Sequence, residues 1–429
     1  MFSPGTTARK ESILERTYES AAALAATASG PLKDHLPRFV ELLIDQRYVP
    51  AVVHVKAMHA VAFDRWLAQR HVALAAVAER HVVGFGHRRR RGGGPIRPET
   101  RKRERFDVAH LLRYLRSVVA CPPASRTCTP AEDLAFEYER HLRHVQGLAE
   151  GSVERYSDVA RLFLRSRIGD GSVDLSMVRA IDVIEFIRCQ SDRLTPPAAK
   201  CVVNGLRSFL RYAQFRGDVT AEIVAAVPAV ATWTTTPKLP KAIAPEHAKR
   251  AIDSCDPATP IGLRDRAVLL LLARLGLRAG EIIAMQLDDC DWDHGQLRVR
   301  GKGGRFAVLP MPVDVGEAIA AYLRCGRPPA ADRHLFLRAM APIRGMQAGS
   351  DGVGSIVRYA LQRAGVRAPH RGSHQFRHAL AVQMLRGGAS LAEIGELLRH
   401  RSPQSTSIYA RVDLDALRSL ALPWPGGVQ

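Results

Sequence analysis

The sequence has little of what staples a small secreted or zinc-bound protein together. Its 429 residues hold seven cysteines: Cys121, Cys128, Cys189, Cys201, Cys255, Cys290 and Cys325. The number is odd and no two form a C-x-x-C pair, which argues against a disulfide framework and against structural zinc. No uncharged stretch is long enough to span a bilayer. The first residues lack a secretory pattern, and the run from Ala21 to Ala28 fits a helix better than a signal core. A reducing cytoplasm with no membrane partner is the expectation. Lysine is also scarce: nine residues, leaving 53 of the 62 basic side chains as arginine.

What is abundant is positive charge. The formal net charge is +20 and the isoelectric point about 10.2. Such an excess favours polyanions, nucleic acid before acidic membrane. Arginine forks onto phosphate bidentately, which suits DNA, although a GC-rich genome gives the same bias without any function. The composition, 46% hydrophobic and 24% charged, is globular. The length exceeds one ordinary core, so two or three domains are expected.

Residues 1–120 read as a helical domain. Leu36, Phe39, Val40 and Leu43 make one apolar face, and Val55, Met58, Val61, Ala62 and Trp66 another. The run His87-Arg88-Arg89-Arg90-Arg91-Gly92-Gly93-Gly94-Pro95 interrupts the pattern. Arg101-Lys102-Arg103-Glu104-Arg105 then leads into a helix holding Leu111, Leu112 and Leu115. These basic runs are either solvated loop or a track for a phosphate backbone. After a Pro/Ser/Thr-rich linker from Cys121 to Pro130, a second helical block covers 131–227, four or five short helices that fit a small bundle. The two blocks echo each other at an offset of about a hundred residues, Leu42 with Leu142, Gln46 with Gln146, Val53 with Val153, Phe63 with Phe163 and Val83 with Val183. Each closes on a Leu/Arg-rich helix, Leu111 to Arg116 against Leu206 to Arg211. If this is a duplication, the first block is a second bundle, with DNA binding open to it as well.

Residues 228–245 form the strongest boundary in the chain, a Pro-rich linker with Lys238 and Lys241. From 246 to 429 helices are expected over Pro245 to Ser254, Arg264 to Leu275, Ala279 to Met285, Val315 to Arg324, Val353 to Ala364, His374 to Arg386, Leu391 to Leu398, Gln404 to Tyr409 and Asp413 to Leu420. Gln296 to Arg300 and Arg305 to Leu309 read as two strands of a hairpin turning at Gly301, Gly303 and Gly304. The predicted fold class is therefore mainly α with a small antiparallel β-sheet in the last domain.

Six residues here have the chemistry a phosphodiester demands. Arg278 lies between two helices in Gly276-Leu277-Arg278-Ala279-Gly280-Glu281. Lys302 sits at the hairpin tip and is the only lysine after Lys249; unlike arginine it can release a proton near neutral pH. His374 and Arg377, three apart on a helix, point the same way. His400 ends a helix and Tyr409 follows nine residues later. Each alone also fits an ordinary role: surface arginine, turn lysine, a histidine favoured by a helix dipole, a packed tyrosine. His374 and His378 stand at i and i+4, but with no Glu between them and no third ligand a metal site is not expected.

Together, Arg278, Lys302, His374, Arg377, His400 and Tyr409 resemble in order and spacing the tyrosine recombinase (phage integrase) family. Leu397-Leu398-Arg399-His400-Arg401-Ser402 through Tyr409 is similar to that family's second sequence box. The likeness covers about Pro245 to Leu420; residues 131–227 resemble the family's core-binding domain. Arg399 departs from the pattern, since many members have Gly there, and its charge is expected to sit beside a phosphate. The resemblance implies a site-specific DNA recombinase of integrase or transposase type. Arg278, Arg377 and His400 would hold the phosphate, His374 would orient or accept the nucleophile's proton, Lys302 would protonate the 5′ oxygen, and Tyr409 would form a 3′-phosphotyrosyl link. No metal and no cofactor would be needed. Partners would be double-stranded DNA at specific recombination sites, held in a clamp by a homotetramer on two duplexes, alone or with sibling recombinases. A type IB-like topoisomerase and a DNA-binding accessory protein of a mobile element are the alternatives.

Overall fold

A computed structural model describes residues 18–87, 98–118, 120–121, 129–168, 174–228, 240–301, 306–347, 352–368, 372–400 and 402–412. Arg88 to Pro95, most of both Pro-rich linkers including Lys238, the hairpin tip with Lys302, and the tail helix near Asp413 to Leu420 lie outside the described residues. The chain separates into two units, Met1–Ser125 with Leu239–Gln429, and Arg126–Lys238.

The first bundle follows a helical stretch at 18–26 and comprises α1 (Leu36–Asp45), α2 (Pro50–Ala68), α3 (Glu79–Gly86) and α4 (Pro98–Ser117). Pro37 and Pro50 sit in the first turns of α1 and α2, where a missing N–H costs nothing. Leu36, Phe39, Val40 and Leu43 are buried, as the 3.6-residue period predicts. One ionic contact is enclosed. Asp107 on α4 accepts from Lys56 Nζ at 2.5 Å and lies 2.8 Å from His59 Nδ1, joining α2 to α4. Burial alone would raise this carboxyl, but the hydrogen bonds from His59 and Lys56 outweigh it and hold its pKa low.

The second unit comprises α5 (Pro130–His144), α6 (Glu150–Ile168), α7 (Ala180–Ser191), α8 (Pro196–Arg216) and the short α9 (Ala221–Ala225). Its build repeats that of the first bundle. α2 and α6 are both 19 residues long and start one hundred positions apart. Each is followed by a three-residue 3-10 turn, Leu74–Ala76 and Leu175–Met177. The cores repeat too. Phe63 meets Phe85 edge-on at 5.2 Å between ring centroids, and Phe163 meets Phe186 edge-on at 5.2 Å. Phe39 and Tyr114 lie 5.5 Å apart at 38°, and Tyr138 and Tyr212 5.3 Å apart at 39°. The structure corrects the register read from sequence at two places. Val82, not Val83, is the buried partner of Val183, and the last helices align Leu112-Arg113-Tyr114 on Leu210-Arg211-Tyr212.

The C-terminal block is built on α11 (Pro260–Leu275), preceded by α10 (Pro245–Asp253). The run Ala267 to Leu272 is buried all round, which makes α11 the central helix of this core. α11 starts earlier than Arg264 because the Thr259 hydroxyl accepts the Gly262 N–H at 3.1 Å, with Pro260 in the first turn. After α12 (Ala279–Ala284) come β1 (Cys290–Asp291), β2 (Gln296–Arg300) and β3 (Phe306–Pro310), an antiparallel sheet in the order β1-β2-β3. Two-residue β1 carries too short an alternation to be read from sequence. Then follow α13 (Val313–Ala321), α14 (Val353–Arg363), α15 (His374–Arg386) and α16 (Leu391–Leu397). Where one helix was expected over Gln404 to Tyr409, the chain makes two 3-10 turns, Pro403–Ser405 and Ser407–Val412. The Ser402 hydroxyl accepts the Gln404 N–H and Thr406 is turned inward, which breaks an α-helical path.

Candidate active site

The site assembles where the C-terminus of α11, the first turn of α15 and the end of α16 meet. Gly276 ends α11 with φ 56°, and a Cβ there would lie 2.8 Å from Leu398 Cδ2, so only glycine fits both the conformation and the contact. The turn delivers Arg278 to the N-terminus of α12. The Glu281 carboxylate accepts the Arg278 backbone N–H at 2.8 Å and its Nη1 at 2.7 Å. Glu281 is buried; burial would raise its pKa, but the Arg278 N–H and the Arg399 and Arg278 guanidiniums hold it below the usual range.

On α15, Arg377 is buried and acts as a strut. Nη1 donates to the Gly276 carbonyl at 2.5 Å and Nη2 donates to the Leu398 carbonyl, tying α11 to α16. Burial, then Arg278 and Arg399, lowers its pKa to about 10, so it remains charged at neutral pH. A guanidinium has five N–H donors, and these two bonds use two of them. His374, at the start of α15, keeps much of its surface in solvent, and its ring lies 6.2 Å from that of His378. What burial it has, with Arg377 and Arg278 nearby, lowers its pKa.

α16 starts at a capping box in which Ser390 and Glu393 exchange hydrogen bonds. It ends in Arg399, whose φ is 53°. That left-handed conformation is one that glycine adopts without strain and that a Cβ disfavours. The Arg399 guanidinium is not left free for a phosphate, as the sequence suggested. Its Nη2 donates to Glu281 at 2.9 Å, while the Arg399 carbonyl accepts from Arg278 Nη2 at 3.4 Å. His400 Nδ1 lies 2.7 Å from the hydroxyl of buried Thr406. Burial, followed by Arg377 and Arg278, pulls its pKa down to about 4, so the ring is neutral at pH 7.

Tyr409 is 1% exposed, packed among Ala381, Val382, Ile394 and Leu398. Its ring stacks on His400 at 5° and 6.5 Å, and its hydroxyl lies 2.9 Å from His378 Nδ1. Burial raises the phenol pKa, so the hydroxyl is protonated, and burial, then His374 and Arg377, lowers that of His378, so its ring is neutral. Arg278, Arg377, His400 and Tyr409 thus surround one stretch of backbone from Leu398 to His400, with His374 at its margin. Lys302 lies outside the described residues. His378 was weighed in the sequence only as a metal ligand; its place directly after Arg377, one turn from His374, was the available signal.

The sequence is similar to those of known proteins along most of its length. The Sinorhizobium fredii protein y4rA, which bears an integrase/recombinase name, is 45% identical over 413 residues, 95% of this chain and 98% of its own. Tyrosine recombinase XerD of Mycobacterium tuberculosis is 30% identical over 310 residues, 68% of this chain and 97% of its own. The chain belongs to the tyrosine recombinase family. Its enzyme class is that of the tyrosine-type site-specific recombinases. The phage integrase family model matches residues 241–415 of this recombinase, the span that holds all six sequence-derived site residues. Its fold is similar to that of the XerH site-specific recombinase solved on a palindromic difH substrate, with a TM-score of 0.52 at 17% identity, covering 74% of this chain and 94% of that one. Among the described residues no helix is long and apolar enough to cross a membrane.

Proposed function

We propose that this recombinase breaks and rejoins DNA at its own sites through a 3′-phosphotyrosyl link on Tyr409. The observation that supports it most is the hydroxyl of Tyr409 hydrogen-bonded to a neutral imidazole, beside two arginines and a second histidine. In this reading the Tyr409 oxygen attacks phosphorus and its proton passes to His378 Nδ1. Arg278 and Arg377 hold the non-bridging oxygens as charge builds, with His374 and the free His400 nitrogen as further donors. The bond from phosphorus to the 5′ oxygen breaks, and that oxygen takes a proton from Lys302. The 5′ hydroxyl of a partner strand then attacks the phosphotyrosine and Tyr409 leaves. Phosphodiester energy is kept in the covalent link, so neither ATP nor a metal enters the step.

Residues 131–227 act as the core-binding domain and 246–429 as the catalytic domain, joined by 228–245 and closing on duplex DNA in the cytoplasm. Exchange uses a homotetramer on two duplexes, or this chain with sibling recombinases. The test is a plasmid carrying two copies of the DNA that flanks its gene. Exchange between the copies is expected; relaxation of a site-free supercoiled plasmid with no exchange would instead make the chain a topoisomerase.

A further inference from the structure

The recurrence of one fold in α1–α4 and α5–α8 leaves the first bundle with a face that the mechanism above does not use. α4 and α8 both begin with proline, Pro98 and Pro196, and align in register at a shift of 98 residues through Leu112-Arg113-Tyr114 and Leu210-Arg211-Tyr212. Burial follows the same shift. Val108, Leu111, Leu112, Tyr114 and Leu115 are buried, and so are Leu206, Phe209, Leu210, Tyr212 and Ala213. Two exposed cations follow it as well, Lys102 with Lys200 and Arg113 with Arg211, all four exposed, whereas exposed Arg103 and Arg105 align on Cys201 and buried Val203.

The spacing within each pair has a physical meaning. Eleven residues are three helical turns, so Lys102 and Arg113 point the same way from positions about 16 Å apart along the axis. Arg105 and Phe106, the latter 65% exposed, lie on the same stripe between them. The two acids in the helix body do not oppose this charge: Glu104 and Asp107 are buried, and Asp107 is held by Lys56 and His59. Two cations on one helix face, set about 16 Å apart, can meet phosphates on either side of a major groove about 12 Å wide.

We propose that the first bundle is a second duplex-DNA-binding module, a copy of the core-binding fold that takes DNA through the Lys102–Arg113 face of α4. The recombinase would then hold more duplex than its catalytic unit and one bundle cover. The assignment leans on α5–α8 being the core-binding domain, so the experiment reads the two bundles separately.

Full-length protein in a Tyr409→Phe background, which keeps binding non-covalent, is titrated with a labelled random-sequence duplex over a range of salt. Lys102→Ala/Arg113→Ala, Lys200→Ala/Arg211→Ala and a control pair on the α1 side, Lys33→Ala/Arg38→Ala, are compared. The α4 pair should weaken binding about tenfold at low salt and lower the salt slope by about two, near 0.9 for each phosphate no longer neutralised. The control pair should leave both unchanged. If the α4 pair keeps the slope and affinity of the parent, the first bundle does not take DNA and the proposal fails. If the α4 pair acts and the α8 pair is silent, the proposal stands and the assignment of residues 131–227 falls. Lys102→Gln/Arg113→Gln gives the same readout should the alanine pair lower the unfolding midpoint.

Discussion

The Tyr409 hydroxyl is hydrogen-bonded to His378 Nδ1 at 2.9 Å, and His378 stands one turn beyond His374 on the same helix. The imidazole in contact with the proposed nucleophile is therefore not the one the sequence pattern nominates. His378→Ala should slow formation of the covalent adduct by about 10² to 10⁴-fold, the usual worth of a positioned base. Affinity for DNA should stay at the wild-type level. Adduct kinetics under single-turnover conditions check this; an unchanged rate would return the proton-accepting role to His374.

Arg399 combines an unfavourable backbone with a favourable side chain. Its φ of 53° disfavours any residue with a Cβ, while its guanidinium pairs with buried Glu281. Arg399→Ala keeps the strain and loses the pair; Arg399→Gly loses the pair but removes the strain. Denaturant unfolding should therefore find the glycine variant more stable than the alanine variant by about 1 kcal/mol. Equal stabilities would mean that the left-handed conformation is not retained.

The depressed pKa of His400 makes a statement about pH. In the folded chain it titrates at about 4 against an ordinary 6.5. Above 6.5 the ring is neutral in both states. Between 6.5 and 4 the unfolded chain binds the proton and the folded chain does not, so stability falls as pH falls through that window. Thermal midpoints measured from pH 7 to pH 4.5 should drop less in His400→Asn than in wild type. Parallel curves would show that the ring titrates normally.

Lys302 is assigned by chemistry and order in the chain. Lys302→Ala should slow cleavage strongly, and a substrate with a better 5′ leaving group should recover most of the loss, because a good leaving group needs no acid. Failure to recover would remove Lys302 from the acid role.

Much of this was legible in the sequence, for reasons that differ from residue to residue. α15 was read at its observed limits because Gly372-Ser373 and Gly387-Gly388 bracket it, and β2 because its alternation is clean. Arg278, Arg377, His400 and Tyr409 were found because motif and spacing are local properties of a chain. What escaped was set by contacts between distant segments. His378 gains its role from a tyrosine 31 positions away. Arg399 is paired with Glu281, which lies 118 positions away in sequence, a contact that neighbours along the chain do not announce. Tyr409 sits on a 3-10 turn because Thr406 must reach His400. The repeat between the bundles was visible at its matching phenylalanines, while its true register needed the paired rings.

The central claim is that Tyr409 is the nucleophile. The most direct measurement is formation of a protein–DNA adduct that survives denaturing electrophoresis, on a nicked duplex carrying the recombinase's own site. Wild type should give the adduct, with the label on the 3′ phosphate, and Tyr409→Phe should bind the duplex equally well and give none. An adduct of wild-type yield from the Tyr409→Phe protein would contradict the account.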